Sequence, residues 1–320
     1  MSKKAIGIDL GGTNIKSGVM DSSGNVLAKM SSPTPPGRGV DEVVDAICKA
    51  MEDISHKAGI GMREVAGVGI GAPGAMDLTQ GIIHISPNFP GWIEVPFLEK
   101  LKRKISIECV LENDANAAAL GEAWAGAGKG AHSVALLTLG TGVGGGVVFK
   151  GKPFHGFTDV GPELGHMILD YNGRLCGCGN KGCLEAYASA TAMVLRMKES
   201  IQLGRDSILK NKLETLTAKD IYDAAVAGDA AAKENMEMTG VYLGIGITSI
   251  LHAFNPEIML LAGGVTAAGE MLLEPIRRTV MSRGMKASWD RTAIRIAALG
   301  GDAGLIGAAG CLFEKLGISA

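Results

Sequence analysis

The strongest chemical signal in the sequence is a cluster of thiols. Cys176, Cys178 and Cys183 fall within eight residues, and His166 precedes the first of them by ten positions. Thiolates and an imidazole are the ligands that Zn²⁺ prefers, four at a time in structural sites. The pattern therefore predicts a structural zinc site at these four residues, with unpaired buried thiols as the alternative. His155 is a rival fourth ligand, although its surroundings, "FHGF", indicate core packing.

Two carboxylates, Glu163 and Glu185, flank this cluster. A bound metal would order the glycine-rich loop that carries them. If one ring nitrogen of His166 binds zinc, the other remains a hydrogen-bond donor. Rigid carboxylates beside an N–H donor suit a site that binds several hydroxyls of a polyhydroxylated substrate at once. We therefore expect the metal to order a substrate site and to take no part in the chemistry.

A second candidate site is the acidic turn in "LENDANAAALGE". Glu112, Asn113 and Asp114 lie where a predicted strand gives way to an alanine-rich helix. Asp114 is either the N-cap of that helix or a carboxylate that accepts a hydroxyl proton. Phosphoryl transfer requires little else from side chains than positioning, a metal and such a base. Asn113 offers both a donor and an acceptor to a polyhydroxylated substrate.

Glycine-rich turns elsewhere indicate phosphate binding, because successive backbone N–H groups form a concave anion site. In the first turn a carboxylate lies beside the glycines, which would suit Mg²⁺ next to a phosphate; alternatively, Asp9 only caps the turn. Neither turn matches the P-loop, and the second leads into a strand, unlike a dinucleotide-binding fingerprint. The candidates are Asp9, Gly11, Gly12 and Thr13 in the first turn and Thr138, Gly140, Thr141 and Gly142 in the second. Gly263 and Gly264 lie in a later turn, which either admits a base or ribose or simply joins a strand to a helix.

The elements that must position these residues alternate between strands and helices, which indicates an α/β fold. The segments "IGIDLGGTNIKSGVMD" and "ALLTLGTGVGGGVVFK" share one pattern, as two similar lobes would, or are two ordinary hairpins. Apolar periodicity and capping residues predict helices over 41–59, about 186–201, 218–227 with Thr217 and Asp220 as a capping box, roughly 229–254, near 267–283 and from about 303.

Composition excludes several kinds of partner. The net charge is −2 and the basic residues are scattered, so no nucleic-acid partner is expected. No apolar run is long enough to cross a bilayer, so we expect no membrane partner. Because no secretory segment opens the chain, we expect a cytoplasmic protein with reduced thiols. A length of 320 residues with 47% hydrophobic residues predicts two domains.

Eight motifs occur in the order typical of one family: "DLGGTNIK", "GIGAPGAMD", "SPNFPGW", "LENDANAAALGE", "LTLGTGVGGG", "GPELGHMIL", "CGCGNKGCLE" and "GDAGLIGAA". With them, the chain resembles the bacterial glucokinases of the ROK family (repressors, open reading frames and kinases) over essentially its whole length. The resemblance implies a two-lobed actin-like and hexokinase-like (ribonuclease H-like) α/β fold with a cleft between the lobes. A smaller lobe over 1–113, joined by a helix at about 303–320, and a larger lobe over 114–302 with the zinc-bearing loop are expected.

The same resemblance implies roles for individual residues. Asp114 would be the catalytic base that deprotonates a sugar 6-hydroxyl, and the glycine turns identified above would bind ATP with Mg²⁺. His166, Cys176, Cys178 and Cys183 would bind structural Zn²⁺. The residues expected to contact the sugar are Gly74, Asn88, Asn113, Asp114, Glu163, His166 and Glu185.

The expected activity is ATP-dependent phosphorylation of glucose at its 6-hydroxyl, in a homodimer or homotetramer. One alternative is a kinase for another hexose, such as N-acetylmannosamine, fructose or allose. The other is a sugar-binding regulator without activity, against which the presence of both Asp9 and Asp114 argues. Only eight residues precede Asp9, so we expect no helix-turn-helix domain of the kind that ROK repressors carry.

Overall fold

The computed structural model describes residues 3–35, 37 and 39–318, which form two compact units. Unit 1 comprises the described residues of Met1–Val134, Gly146–Pro162 and Ala298–Ala320, and unit 2 comprises Ala135–Gly145 and Glu163–Ala297. Unit 1 therefore includes the segment that follows Asp114, which the sequence assigned to the larger lobe. The lobe boundaries themselves stay a prediction.

The strands and helices alternate along much of the chain, and this confirms the α/β class. The strands are β1 (Lys4–Leu10), β2 (Asn14–Asp21), β3 (Val26–Pro33), β4 (Val65–Ala72), β5 (Ala75–Asp77), β6 (Ile82–Ile85), β7 (Ile93–Val95), β8 (Cys109–Asn113), β9 (Ser133–Leu139), β10 (Val143–Phe149), β11 (Lys152–Pro153), β12 (Ile258–Ala262) and β13 (Ala293–Ile296). The helices are α1 (Val40–Lys57), α2 (Phe97–Lys102), α3 (Asp114–Ala125), α4 (Glu185–Ala188), α5 (Ala190–Gln202), α6 (Ala218–Val226), α7 (Ala230–Phe254), α8 (Glu270–Arg283), α9 (Lys286–Trp289) and α10 (Ala303–Lys315).

Unit 1 contains a sheet with the strand order β3-β2-β1-β4-β8. Strand β1 is antiparallel to β2 and parallel to β4, which is in turn parallel to β8. In the register of the sheet, Asp9 is opposite Gly71 and Gly71 is opposite Glu112. Because the carboxyl ends of parallel strands meet at one edge, the turn after Asp9 and the turn at Asp114 lie at the same edge.

One face of this sheet is covered by apolar side chains of α1, which the sequence predicts as an amphipathic helix. Val44, Ile47 and Met51 of α1 are fully buried in one core with Ile8 and Ile70 of the sheet. The short antiparallel sheet β5-β6-β7 also belongs to unit 1.

Helix α10 packs against α3 and the sheet with almost no side chain in between. A Cβ atom on Gly307 would lie 1.6 Å from the carbonyl oxygen of Ala117, and one on Gly69 would lie 1.7 Å from that of Ala308. Real Cβ atoms do not approach so closely, so glycine is required at both positions. This contact fixes α3, the helix that begins at Asp114, against the core of unit 1.

A second sheet has the strand order β11-β10-β9-β12-β13, and β12 is parallel to β13. In unit 2, the buried helix α7 packs against α8, where Gly240 and Gly244 face Pro275 and Thr279. Among the described residues, no helix combines the length and the apolar character that crossing a bilayer requires.

The helices predicted from periodicity are present with one correction. The capping box of α6 is confirmed, since Asp220 N–H donates to Thr217 Oγ1 and Thr217 N–H donates to Asp220. The single helix predicted over about 186–201 is wrong: α4 ends at Ala188, and Ser189 begins a new helix, α5. The Ser189 hydroxyl accepts a hydrogen bond from Ala192 N–H, as an N-cap residue does.

Candidate active site

The junction between β8 and α3 presents the acidic turn. Asn113 has extended backbone angles, and its side-chain oxygen accepts hydrogen bonds from the N–H groups of Ala115 and Asn116. Asn113 is therefore the N-cap, so the alternative that Asp114 caps the helix is wrong. The Asn113 amide also donates to the carbonyl oxygen of Gly74, at 3.2 Å. Asp114 is the half-buried first residue of α3, at a helix end where the backbone dipole favours a carboxylate.

Close contacts in unit 1 explain why two of the predicted positions, Gly74 and Gly12, are glycines. Gly74 has a φ of +123°, and a Cβ atom there would lie 2.1 Å from the carbonyl oxygen of Ile85. A Cβ atom on Gly12 would lie 3.3 Å from the Cβ atom of Asn88. The glycines therefore allow the loop after β4 and the first glycine turn to approach the segment that runs from Ile85 to Asn88.

The first glycine turn is closed by the Gly11 N–H, which donates to the Asn14 carbonyl oxygen at 3.0 Å. The Asp9 carboxylate at its start lies 3.5 Å from Lys16 Nζ. Burial raises the pKa of Asp9, and the charge of Lys16 opposes this effect. A Cβ atom at Gly304 would lie 3.1 Å from Asp9 Cγ, so glycine keeps space beside the carboxylate. A partly exposed carboxylate beside a glycine-rich turn fits the way proteins hold Mg²⁺ next to a phosphate, and the assignment of Asp9 to Mg²⁺ stays a prediction.

In unit 2, the second glycine turn follows β9 and is attached to the start of α5. Gly140 N–H donates to the Gly142 carbonyl oxygen at 3.0 Å, and the Gly140 carbonyl oxygen accepts from Ala190 N–H at 2.9 Å. The Thr191 hydroxyl donates to the Thr141 carbonyl oxygen at 2.8 Å. These bonds fix the backbone of the turn at Gly140 and Thr141, and Thr138 lies just before the turn in β9.

A cavity of about 530 Å³ adjoins this turn. Gly140, Thr141 and Gly264 contribute to its wall, and their assignment to nucleotide binding stays a prediction. Most of the remaining wall is apolar and was not predicted from the sequence, because its members come from four separate segments. They include Met193 of α5, Ala218 and Tyr222 of α6, Met236 of α7, and Val265, Ala267 and Ala268. Predominantly apolar walls with a few polar groups suit a planar base.

The predicted metal ligands of unit 2 come together. One ligand atom from each of His166, Cys176, Cys178 and Cys183 lies within 4.8 Å of every other. The sulfurs of Cys178 and Cys183 are 3.7 Å apart, and Cys176 Sγ is 3.7 Å from His166 Nδ1. Tetrahedral zinc with Zn–S bonds of about 2.3 Å separates two sulfurs by about 3.8 Å, so the donor set and its spacing fit Zn²⁺. His155, the rival fourth ligand, is not a member of this group; its Nε2 contacts Glu112 instead.

Two carboxylates of unit 2 lie against this cluster. Glu185 Oε2 accepts a hydrogen bond from Val143 N–H at 2.9 Å, and its Oε1 accepts from Cys176 Sγ at 3.3 Å. Glu163 Oε2 lies 4.0 Å from His166 Nε2. Burial raises the pKa of Glu163; the nearby His166 lowers it, and the charge of Glu185 raises it further. The substrate-binding role of Glu163, His166 and Glu185 stays a prediction.

Sequence reasoning missed one polar pair of unit 1, in which a buried glutamate contacts a partly exposed histidine. Glu112 lies on β8 directly before Asn113, with a side chain only 4% exposed, and its Oε2 lies 2.8 Å from His155 Nε2. The motif "FHGF" indicated core packing for the histidine, and nothing local marks the glutamate 43 positions away as its partner.

Comparison with known proteins identifies the family. Residues 5–315 match the ROK family. The chain is 38% identical over 317 residues to the glucokinase of Thermotoga maritima, covering 98% of each chain. A ROK hexokinase from Thermus thermophilus superposes with a TM-score of 0.83 at 36% identity, covering 98% of this chain and 99% of the other.

A ROK family glucokinase from Streptomyces griseus, solved in complex with glucose and AMPPNP, superposes with a TM-score of 0.80. It is 36% identical, and the match covers 96% of this chain and 98% of the other. These relatives confirm the predicted two-lobed actin-like fold class. The chain belongs to the ROK family.

Proposed function

We propose that this protein is a sugar kinase that transfers the γ-phosphoryl group of ATP to the 6-hydroxyl of glucose, which gives glucose 6-phosphate and ADP. The observation that carries the proposal is the 38% identity to a glucokinase over nearly the whole of both chains. The Asp114 carboxylate at the start of α3, next to the Asn113 cap, supports it with a group suited to the chemistry.

In the proposed reaction, Asp114 accepts the proton of the 6-hydroxyl as the oxygen attacks phosphorus. A positioned general base contributes roughly 10²–10⁴-fold to a rate. Asn113 is well suited to hold a neighbouring hydroxyl, because its amide is already oriented by two backbone N–H groups and by Gly74. The other groups proposed to contact the sugar are Gly74, Asn88, Glu163, His166 and Glu185.

The nucleotide is proposed to bind at the glycine turns. The backbone of Gly11, Gly12 and Thr13 and that of Thr138, Gly140, Thr141 and Gly142 would bind phosphate oxygens, and the apolar cavity beside Gly263 and Gly264 would accept the adenosine. Asp9 would hold Mg²⁺, directly or through water, which when bound neutralises charge on the phosphates.

His166, Cys176, Cys178 and Cys183 would hold Zn²⁺, whose contribution would be to order the loop that carries them. His166 would then present Nε2 on the side of Glu163, as a donor for a sugar hydroxyl. Assembly as a homodimer or homotetramer, a cytoplasmic location and the absence of a nucleic-acid partner complete the proposal.

The test is a panel of hexoses assayed for ADP release with ATP, and in parallel for sugar phosphate formation with polyphosphate. We expect kcat/KM to be highest for glucose with ATP. A higher value for N-acetylmannosamine, fructose or allose would reassign the substrate within the family. No ADP release with any sugar would favour the sugar-binding regulator.

A further inference from the structure

A buried carboxylate lies directly behind the proposed catalytic turn. Glu112 Oε1 accepts a hydrogen bond from the N–H of Asn113 at 2.9 Å. Its second oxygen, Oε2, lies 2.8 Å from His155 Nε2, so that a protonated Nε2 donates a hydrogen bond to it. The His155 imidazole is therefore connected, through the Glu112 side chain, to the backbone N–H of Asn113, the residue before Asp114.

The loop that follows His155 is held on the same junction by a second contact. Gly161 N–H donates to the His155 carbonyl oxygen at 3.0 Å, which closes the loop on itself. The Asn116 amide donates to the Gly161 carbonyl oxygen at 3.4 Å. Glu112 and Asn116 thus attach the loop at points two residues before and two residues after Asp114.

Stability alone is a poor explanation for this pair. Leaving one member of a buried charged pair without its partner is costly, whereas replacing both by apolar residues is often neutral or stabilising. An apolar pair would therefore fill the same space. What an apolar pair cannot do is hold the Asn113 N–H, and through it the direction in which α3 begins.

We propose that Glu112 and His155 are positioning residues for phosphoryl transfer, which hold the backbone at Asn113 so that the Asp114 carboxylate meets the substrate hydroxyl in the reactive geometry. The inference rests on the proposed function, in which Asp114 is the base. Misplacement of a catalytic group by about 1 Å can cost about 100-fold in rate, so a modest shift at this turn would be visible.

The experiment compares His155→Leu with His155→Gln. Glutamine places an N–H donor near the position of histidine Nε2, whereas leucine offers none. His155 borders a cavity of about 460 Å³, so both side chains fit without crowding. We expect kcat to fall at least about tenfold in His155→Leu, with KM for glucose changed less than about threefold, and most of kcat to return in His155→Gln.

A double variant, Glu112→Met/His155→Leu, tests whether the lower kcat is caused only by unfolding, because it leaves no buried charge without a partner. We expect it to melt near the wild-type temperature and to retain the low kcat. His84→Gln is the matched control, because His84 Nδ1 also lies 2.8 Å from a carboxylate, that of Glu94, but both side chains are exposed. Wild-type kcat in the double variant, a glutamine variant as slow as the leucine variant, or a loss confined to KM would each overturn the proposal.

Hydrogen–deuterium exchange separates this inference from the proposed function. In His155→Leu, peptides that cover Cys109–Asn113 should exchange faster than in the wild type, and in His84→Gln they should not. If the wild-type protein phosphorylates no sugar, the proposed function fails while the exchange result still decides whether the pair holds the turn. Unchanged exchange in His155→Leu would refute the positioning role.

Discussion

His166 and Cys176 face each other through Nδ1 and Sγ, 3.7 Å apart. The second ring nitrogen of His166 lies on the other side, 4.0 Å from Glu163 Oε2. One imidazole thus belongs to both the thiol cluster and the pair of carboxylates that we propose to contact the sugar. Any disturbance of the cluster should therefore change sugar affinity as well as metal content.

Replacing Cys178 by serine tests this connection. Cys178 is the exposed member of the cluster, so the substitution should not disturb packing. We expect zinc content, measured by inductively coupled plasma mass spectrometry, to fall well below one per chain and KM for glucose to rise about tenfold, as when a metal site loses an orienting group. Cys48→Ser, outside the cluster, should retain zinc and KM. Full zinc occupancy in Cys178→Ser would contradict the assignment.

Asp114→Asn should abolish most of the turnover, because asparagine cannot accept the hydroxyl proton. We expect kcat to fall by about 10²–10⁴-fold in the coupled ADP assay, with melting temperature and zinc content unchanged. The control is Asp53→Asn on the exposed surface of α1, which should behave as the wild type. A kcat within a few-fold of wild type in Asp114→Asn would remove this residue as the base.

Ala267→Trp should block the proposed adenosine cavity. Ala267 is exposed and borders the cavity, so the larger side chain can enter it without displacing the core. We expect KM for ATP to rise at least about tenfold, whereas KM for glucose changes little. Ala267→Ser, which adds only a hydroxyl, is the matched control. An unchanged KM for ATP would place the base elsewhere.

Gly307→Ala tests the backbone contact between α10 and α3. The new methyl would lie 1.6 Å from the Ala117 carbonyl oxygen, so one of the two helices must move. We expect a loss of about 2–4 kcal/mol in the free energy of unfolding by urea. Gly310→Ala in the same helix, whose methyl would lie 3.1 Å from the Trp124 ring, should cost much less. Equal stability of the two variants would be inconsistent with this packing.

The histidine behind the proposed catalytic turn should make stability depend on pH. Burial lowers the pKa of His155, but the hydrogen bond and charge of Glu112, with the charges of Asp159 and Glu314, outweigh it and raise the pKa. A raised pKa means that folding favours the protonated ring. This contribution is fully present below the unfolded pKa of about 6.5 and is lost as pH rises through the folded value.

Urea denaturation of the wild type and His155→Gln across this range measures the effect. The difference in the free energy of unfolding should be largest at about pH 5.5 and should shrink towards about pH 9. Glu112→Gln should lose the same pH-dependent part, since it removes the charge that retains the proton. A difference that grows with pH would reverse the sign and disprove the assignment.

The features predicted well from the sequence are those that depend on neighbours along the chain. The capping box at Thr217 and Asp220 and the ligand spacing of Cys176, Cys178 and Cys183 are local patterns, and the structure contains both arrangements. Ser189 was missed because the apolar pattern continues across it, although a serine before a helical segment is an N-cap signal.

Features that depend on distant segments were out of reach. Asn113 and Asp114 are both competent N-caps, and only the backbone geometry shows that Asn113 takes the role. His155 contacts Glu112 because β8 packs against a loop 43 residues later in the chain. The apolar wall of the proposed nucleotide cavity is assembled from α5, α6, α7 and the turn after β12, none of which carries a local signature.

The discontinuity of unit 1 has a consequence for biosynthesis. Its core includes α10, which closes over Gly69 and Ala117, yet α10 follows every residue of unit 2 in the chain. Unit 2 can therefore become complete on the ribosome before unit 1 does. Until Ala303–Lys315 has been synthesised, the apolar surface that α10 covers in the folded protein stays exposed on the nascent N-terminal segment. We expect the segment to need a chaperone most during this interval.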